Sequence, residues 1–127
     1  MDINELLHGF DDGEAAKKAA CAMEHVIIES GALTSLNSIC ANYHGILMVS
    51  DHNTYRVCGK DVADILGNKI VSAMRFETGD APLIPDEAAI AAIQDRCVEG
   101  VELILGVGSG VINDLCKIVS FERKLPY

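Results

Sequence analysis

Residues 102–117 read ELILGVGSGVINDLCK, and this stretch decides the fold. The apolar run Leu103-Ile104-Leu105 reads as a strand. Gly106, Gly108 and Gly110 then follow at alternate positions, and the pair Asn113-Asp114 belongs to a helix expected over 110–123. Glycine removes the Cβ from the path of a ligand and admits positive φ. A helix N-terminus offers unpaired N–H groups and the positive end of a dipole, which suit a phosphate. Ser109 adds a hydroxyl donor. The corner therefore has the parts of a phosphate or pyrophosphate site, although glycines also serve close packing and tight turns. It is neither standard phosphate loop. Val111 stands where G-x-G-x-x-G needs glycine, and no G-K-[S/T] follows.

Working back from that corner, apolar runs alternate with helical patterns. GILMVSD (45–51) is a continuous apolar run, the mark of a strand buried on both faces. YRVCGKDVADILG (55–67) has apolar residues at helical spacing and ends on Gly67. KIVSAMRF (69–76) reads as a strand and GDAPLIP (79–85) as a loop. A helix over 86–98 opens on Asp86-Glu87, where acidic residues favour the dipole. Before these, HVIIES (25–30) is a short β-branched run and ALTSLNSICANY (32–43) has helical spacing, while EAAKKAACAMEH (14–25) favours helix through its alanines. Strands alternating with helices of this length mean βαβ units. The expected class is α/β, a Rossmann-like open, mainly parallel sheet with flanking helices. Residues 1–20 read as a polar lead-in and 21–127 as the domain.

A length of 127 residues suits one domain with a real core. A formal charge of −9 argues against nucleic acid, whose phosphates it would repel. It does not exclude a small anion held by a local nest of N–H groups. No segment is apolar enough to span a bilayer and the acidic start has no signal-peptide character, so the cytoplasm is expected. The five scattered cysteines contain no C-x-x-C pair and read as reduced thiols.

GVGSGVINDLCK, with Asp114 and Lys117 in place, is similar to the G-G-G-S-x-x-D-x-x-K signature of the iron-containing alcohol dehydrogenase superfamily. Its G-S-G-x-x-N-D-x-x-K form resembles the sn-glycerol-1-phosphate dehydrogenase family. VIIESGAL (26–33), LMVSDHNTYRVCG (47–59) and LIPDEAAI (83–90) resemble further segments of that family in the same order, and CAMEH (21–25) resembles a cysteine–histidine segment of its bacterial members. The resemblance covers residues 21–127. Two relatives on the same fold are alternative readings: dehydroquinate synthases, which place glycine where Asn113 stands, and glycerol dehydrogenases, which as a rule lack the Asn-Asp pair.

The resemblance implies a nucleotide-binding half followed by a helical, metal-binding half. Such enzymes reduce dihydroxyacetone phosphate to sn-glycerol 1-phosphate with NADH or NADPH and a divalent metal, zinc or nickel, in phospholipid biosynthesis. Carried over by residue, Asp51 falls at the ribose-contacting acid and Gly108, Ser109, Gly110, Val111 and Ile112 at the pyrophosphate loop. Asp114 joins them as a cofactor-binding residue, its alternative role being to complement the helix dipole. A carboxylate at a strand's carboxyl end accepts bonds from ribose hydroxyls and disfavours the extra phosphate of NADP, which points to NAD.

In that family a further strand and a T-A-x-S-x-D loop follow the segment matching KLPY, and an aspartate and two histidines beyond them hold the metal. On this reading the chain is the nucleotide-binding part alone. It is expected to bind a dinucleotide without turnover, with dihydroxyacetone phosphate, glycerol phosphate and metal bound only by the full-length enzyme. A face left without its second domain is expected to be apolar and to drive homo-oligomerisation. Among His8, His25, His44 and His52 no H-x-x-H or H-E-x-x-H array occurs, and Cys21 with His25 makes too small a set for zinc. The histidines read as ordinary surface or loop residues. No catalytic residue and no metal ligand is assigned.

Overall fold

The computed structural model describes residues 23–127. The lead-in of residues 1–20, most of the 14–25 helix and Cys21 lie outside the described residues. The chain divides into two units, Met1–Ala32 and Leu33–Tyr127. In the first, residues 23–28 carry no regular structure and a turn follows at 30–31. The β-branched run at 25–30 is therefore not a strand. Ile28 is 84% exposed. A strand exists only where a neighbour pairs with it, and the three strands that pair are all in the second unit.

The second unit is built on a parallel sheet of β1 (Ile46–Asp51), β2 (Ile70–Phe76) and β3 (Leu103–Val107), in the order β2-β1-β3. The open parallel α/β architecture expected from the alternating pattern is thus present. β1 is central, and its first five residues are buried, as a continuous apolar run on both faces requires. Its side chains divide between two cores. Leu47 and Val49 join Phe76, Ile93, Ile104, Ile112, Leu115 and Val119 on one face. Ile46 and Met48 join Val62, Leu66 and Leu103 on the other.

The helices cover those faces. The helical spacing at 32–43 resolves into a 3-10 turn, Ala32–Ser35, and a single α-turn, α1 (Leu36–Ile39). After β1 the chain runs through α2 (His52–Thr54), a π-helical stretch Tyr55–Gly59, and α3 (Lys60–Leu66). The helical run thus starts before Tyr55, because Asp51 caps it. Gly59 permits the wide turn, since a Cβ there would lie 2.9 Å from the Tyr55 ring. On the opposite face lie α4 (Glu87–Arg96), capped by Asp86 accepting from Ala89 N at 2.9 Å, and α5 (Gly110–Arg123). α5 ends at Lys124 in the left-handed region, after which Pro126 O accepts from Ile104 N on the outer edge of β3.

The chain leaves β1 toward β2 with its helices on one face, then returns from β2 across β1 to β3 with α4 on the other. β1 and β3 therefore feed loops that diverge. In open α/β sheets ligands bind in the crevice at the carboxyl end where connections part. The amino end is closed by contrast: the Glu102 carboxylate accepts from His44 N and Gly45 N, and Gly45 O accepts from Glu102 N at 2.7 Å.

Candidate dinucleotide site at the carboxyl edge

All three strands contribute to one cleft at the carboxyl edge. Asp51, His52 and Asn53 come from the end of β1. Thr78, Gly79, Ala81, Pro82 and Leu83 come from the loop after β2, and Ser109 and Val111 from the corner after β3. The cleft holds about 230 Å³.

The β1 corner is closed by its own side chains. Asp51 Oδ1 accepts from Thr54 N at 2.8 Å, and Asp51 N donates to Thr54 Oγ1 at 3.0 Å. This reciprocal cap holds the carboxylate at the strand end. Beside it, His52 Nδ1 lies 3.2 Å from Glu77 Oε2, and Arg75 Nε lies 2.9 Å from Glu77 Oε1. The Arg75 guanidinium also sits 4.5 Å from the centre of the Tyr55 ring.

The β3 corner is different. Ser109 is the N-cap of α5 in an extended conformation, but its side chain makes no capping bond. Asn113 N donates to Ser109 O, the first bond of the helix. The N–H groups of Gly110, Val111 and Ile112 thus have no partner within the helix, and the dipole's positive end faces the same edge.

The glycines here act differently from the expectation of backbone freedom. None of Gly106, Gly108 and Gly110 has positive φ, whereas Gly79, which lines the cleft, does at 62°. The corner needs space instead. A Cβ on Gly106 would lie 3.0 Å from Cys116 Sγ, and one on Gly108 only 2.7 Å from Ile112 Cγ1. Those two let α5 pack closely on β3. Gly110 meets nothing within 4 Å, so it alone faces open space.

Of the residues singled out in the sequence, Asp51, Ser109 and Val111 line the cleft together. Gly108 and Gly110 flank it. The Ile112 side chain is in the core, leaving only its N–H for a ligand. Asp114 is exposed on α5 and is not part of the cleft lining. Sequence reasoning missed the lining role of His52, Asn53 and the 78–83 loop. The signal was there in Gly79 and Pro82, which mark a turn at the end of a strand parallel to β1. Buried Cys116 has its thiol pushed up to about 12, by burial first and by neighbouring Cys97 second. Among the described residues no group of three His, Cys, Asp or Glu is placed to hold a metal ion. No helix there is long and apolar enough to cross a membrane.

The chain is 30% identical over 124 residues to a glycerol-1-phosphate dehydrogenase [NAD(P)+] of Halalkalibacterium halodurans, covering 88% of this chain and 31% of that protein. It is 28% identical to the enzyme of the same name from Bacillus velezensis, covering 91% and 31%. The chain thus spans about a third of the length of these curated relatives. Among solved structures, glycerol dehydrogenase from Schizosaccharomyces pombe superposes with a TM-score of 0.61 at 18% identity, over 75% of this chain and 24% of that one. That likeness shows the fold. Residues 27–127, the cleft and both of its corners included, match the iron-containing alcohol dehydrogenase family, and the chain belongs to it.

Proposed function

We propose that residues 21–127 form the dinucleotide-binding part of an NAD(P)-dependent oxidoreductase that reduces dihydroxyacetone phosphate to sn-glycerol 1-phosphate. The observation that carries this reading is the pairing of two corners in one cleft: a fixed carboxylate, Asp51, and an uncapped helix N-terminus at Ser109. The first suits ribose hydroxyls and the second a pyrophosphate. The open space at Gly110 allows the backbone approach that a phosphate needs. The cleft is smaller than the roughly 300–1,000 Å³ of pockets that enclose a whole ligand, so it suits the ribose-and-phosphate portion.

A bound NADH or NADPH supplies the hydride. The chain's own residues bind and orient: Asp51 holds the ribose, Ser109 Oγ and the N–H groups of residues 110–112 neutralise the pyrophosphate, and the 78–83 loop walls the cleft. Among the described residues no group of three His, Cys, Asp or Glu is placed to hold the zinc or nickel that the family resemblance implies. A second reading is a chain that binds the dinucleotide without turning substrate over. Assay with dihydroxyacetone phosphate, NADH and zinc or nickel separates the two, since turnover by this chain excludes the second.

A cytoplasmic setting and a homo-oligomeric state belong to the same proposal. Phe121 (85% exposed) and Ile118, neighbours one turn apart on α5, support self-association.

The decisive experiment is an NADH titration of the chain and of Gly110→Val. The Cβ position at Gly110 is open, so the fold should persist while affinity falls at least about tenfold, the loss of one charge-assisted contact. Equal affinity would remove the pyrophosphate from the α5 N-terminus.

A further inference from the structure

Phe76 and Arg75 of β2 lie beside Asp51 and Ser50 of β1 in parallel register. Just past the end of β2, Glu77 turns one carboxylate oxygen to the Arg75 guanidinium and the other to the His52 imidazole. Arg75 is held from its other side by the face of Tyr55, and His52 and Thr78 line the cleft with Asp51. These groups contribute little to stability, because their side chains are 47–56% exposed and ion pairs at such exposure are worth little. Their position is what distinguishes them. Glu77 reaches the cleft through His52, which lines it together with the carboxylate that the Thr54 cap holds in place.

The charges at this corner are two carboxylates, Asp51 and Glu77, against one guanidinium, Arg75, with His52 beside them. While His52 is neutral the corner is net negative, and Glu77 is what tips it. We propose that Glu77 is a specificity-determining positioning residue: by holding Arg75 and His52 it keeps the ribose end selective against a 2′-phosphate. This rests on the dinucleotide reading of the cleft and deepens it. Asp51 opposes a 2′-phosphate, and Arg75, at the strand position paired with Ser50, is the cation available to offset it, with His52 beside it. Glu77 occupies both. Without its charge, Arg75 is released to pair with the phosphate dianion and the corner no longer repels it.

The test is the affinity of the chain for NADH and for NADPH at pH 8, measured by titration on wild type, Glu77→Gln and Arg75→Gln, with melting curves for each. One unit charge within about 10 Å of a dianion in a water-like dielectric changes affinity severalfold. Glu77→Gln should raise the NADPH-to-NADH affinity ratio by about that factor. Arg75→Gln, which removes a cation and leaves Glu77 unopposed, should lower it. A merely structural role would move both cofactors together and leave the ratio alone. An unchanged ratio in both variants, or a shift of the same sign in both, overturns the inference while leaving the dinucleotide reading intact. A wild-type chain that binds neither cofactor overturns that reading and the inference with it.

Discussion

Two strand-to-helix corners meet at the carboxyl edge, and they treat their helix N-termini in opposite ways. After β1, Asp51 and Thr54 satisfy each other and the corner is complete without a ligand. After β3, Ser109 leaves its helix uncapped. The closed corner fixes an acceptor in place; the open one keeps donors free. An uncapped helix end costs stability, and at this edge that deficit coincides with space for an anion at Gly110. The contrast separates the glycines as well, since Gly108 belongs to packing and Gly110 to the cleft.

The largest effect should come from confusing those last two roles. Gly108→Val drives a side chain into Ile112 Cγ1, 2.7 Å from the Cβ position, an overpacking that costs about 2–3 kcal/mol. Its melting temperature should fall by about 10 °C or more, whereas Gly110→Val should melt with wild type. Equal melting of the two variants would erase the distinction.

Ser109→Asp makes the open corner resemble the closed one. A carboxylate at the α5 N-cap should raise stability by about 0.5 kcal/mol while repelling a pyrophosphate, so NADH affinity should drop roughly tenfold. Stability and binding moving together would mean the donors serve the fold alone.

At the closed corner, Asp51→Ala removes the cap and should cost about 1 kcal/mol, while Asp51→Asn, an equally good cap, should cost only a few tenths. Both should weaken NADH, because neither keeps the carboxylate. Chemical denaturation of the pair reads the cap, and titration reads the ligand role.

A last effect, read only at alkaline pH, concerns Cys116, which packs beneath the open corner against Gly106. Burial raises its thiol from 9.0 to about 12. The unfolded thiol ionises first as pH rises, so its contribution to stability is whole below pH 9.0 and is lost progressively toward about 12. Denaturation midpoints should fall between pH 8 and 10.5 more steeply in wild type than in Cys116→Ala. Parallel slopes would contradict the burial of the thiol.

Local chemistry was legible where it was self-contained. The α5 limits follow from the glycine corner and the helical pattern, and α4 is announced by Asp86-Glu87. β1 is announced by its apolar run. Misreadings came where a partner decides. VIIE has strand composition, yet none of the three paired strands includes it. The 32–43 pattern has helical spacing but forms only a 3-10 turn and one α-turn. His52 looked like an ordinary loop histidine because its neighbours Glu77 and Thr78 are distant in sequence.

The sequence by itself determined an α/β domain, the order and approximate place of its strands and helices after residue 44, and the two corners that carry Asp51 and Ser109. It could do so because capping residues, glycines and apolar periodicity act within a few residues of one another. Only the tertiary structure decided that β1 lies between β2 and β3, that the 78–83 loop completes the cleft, and that Glu77 joins Arg75 to His52. The same holds for the glycines, two of which are packing positions. These are relations between segments brought together by parallel pairing and burial, and no local pattern encodes which segments will meet.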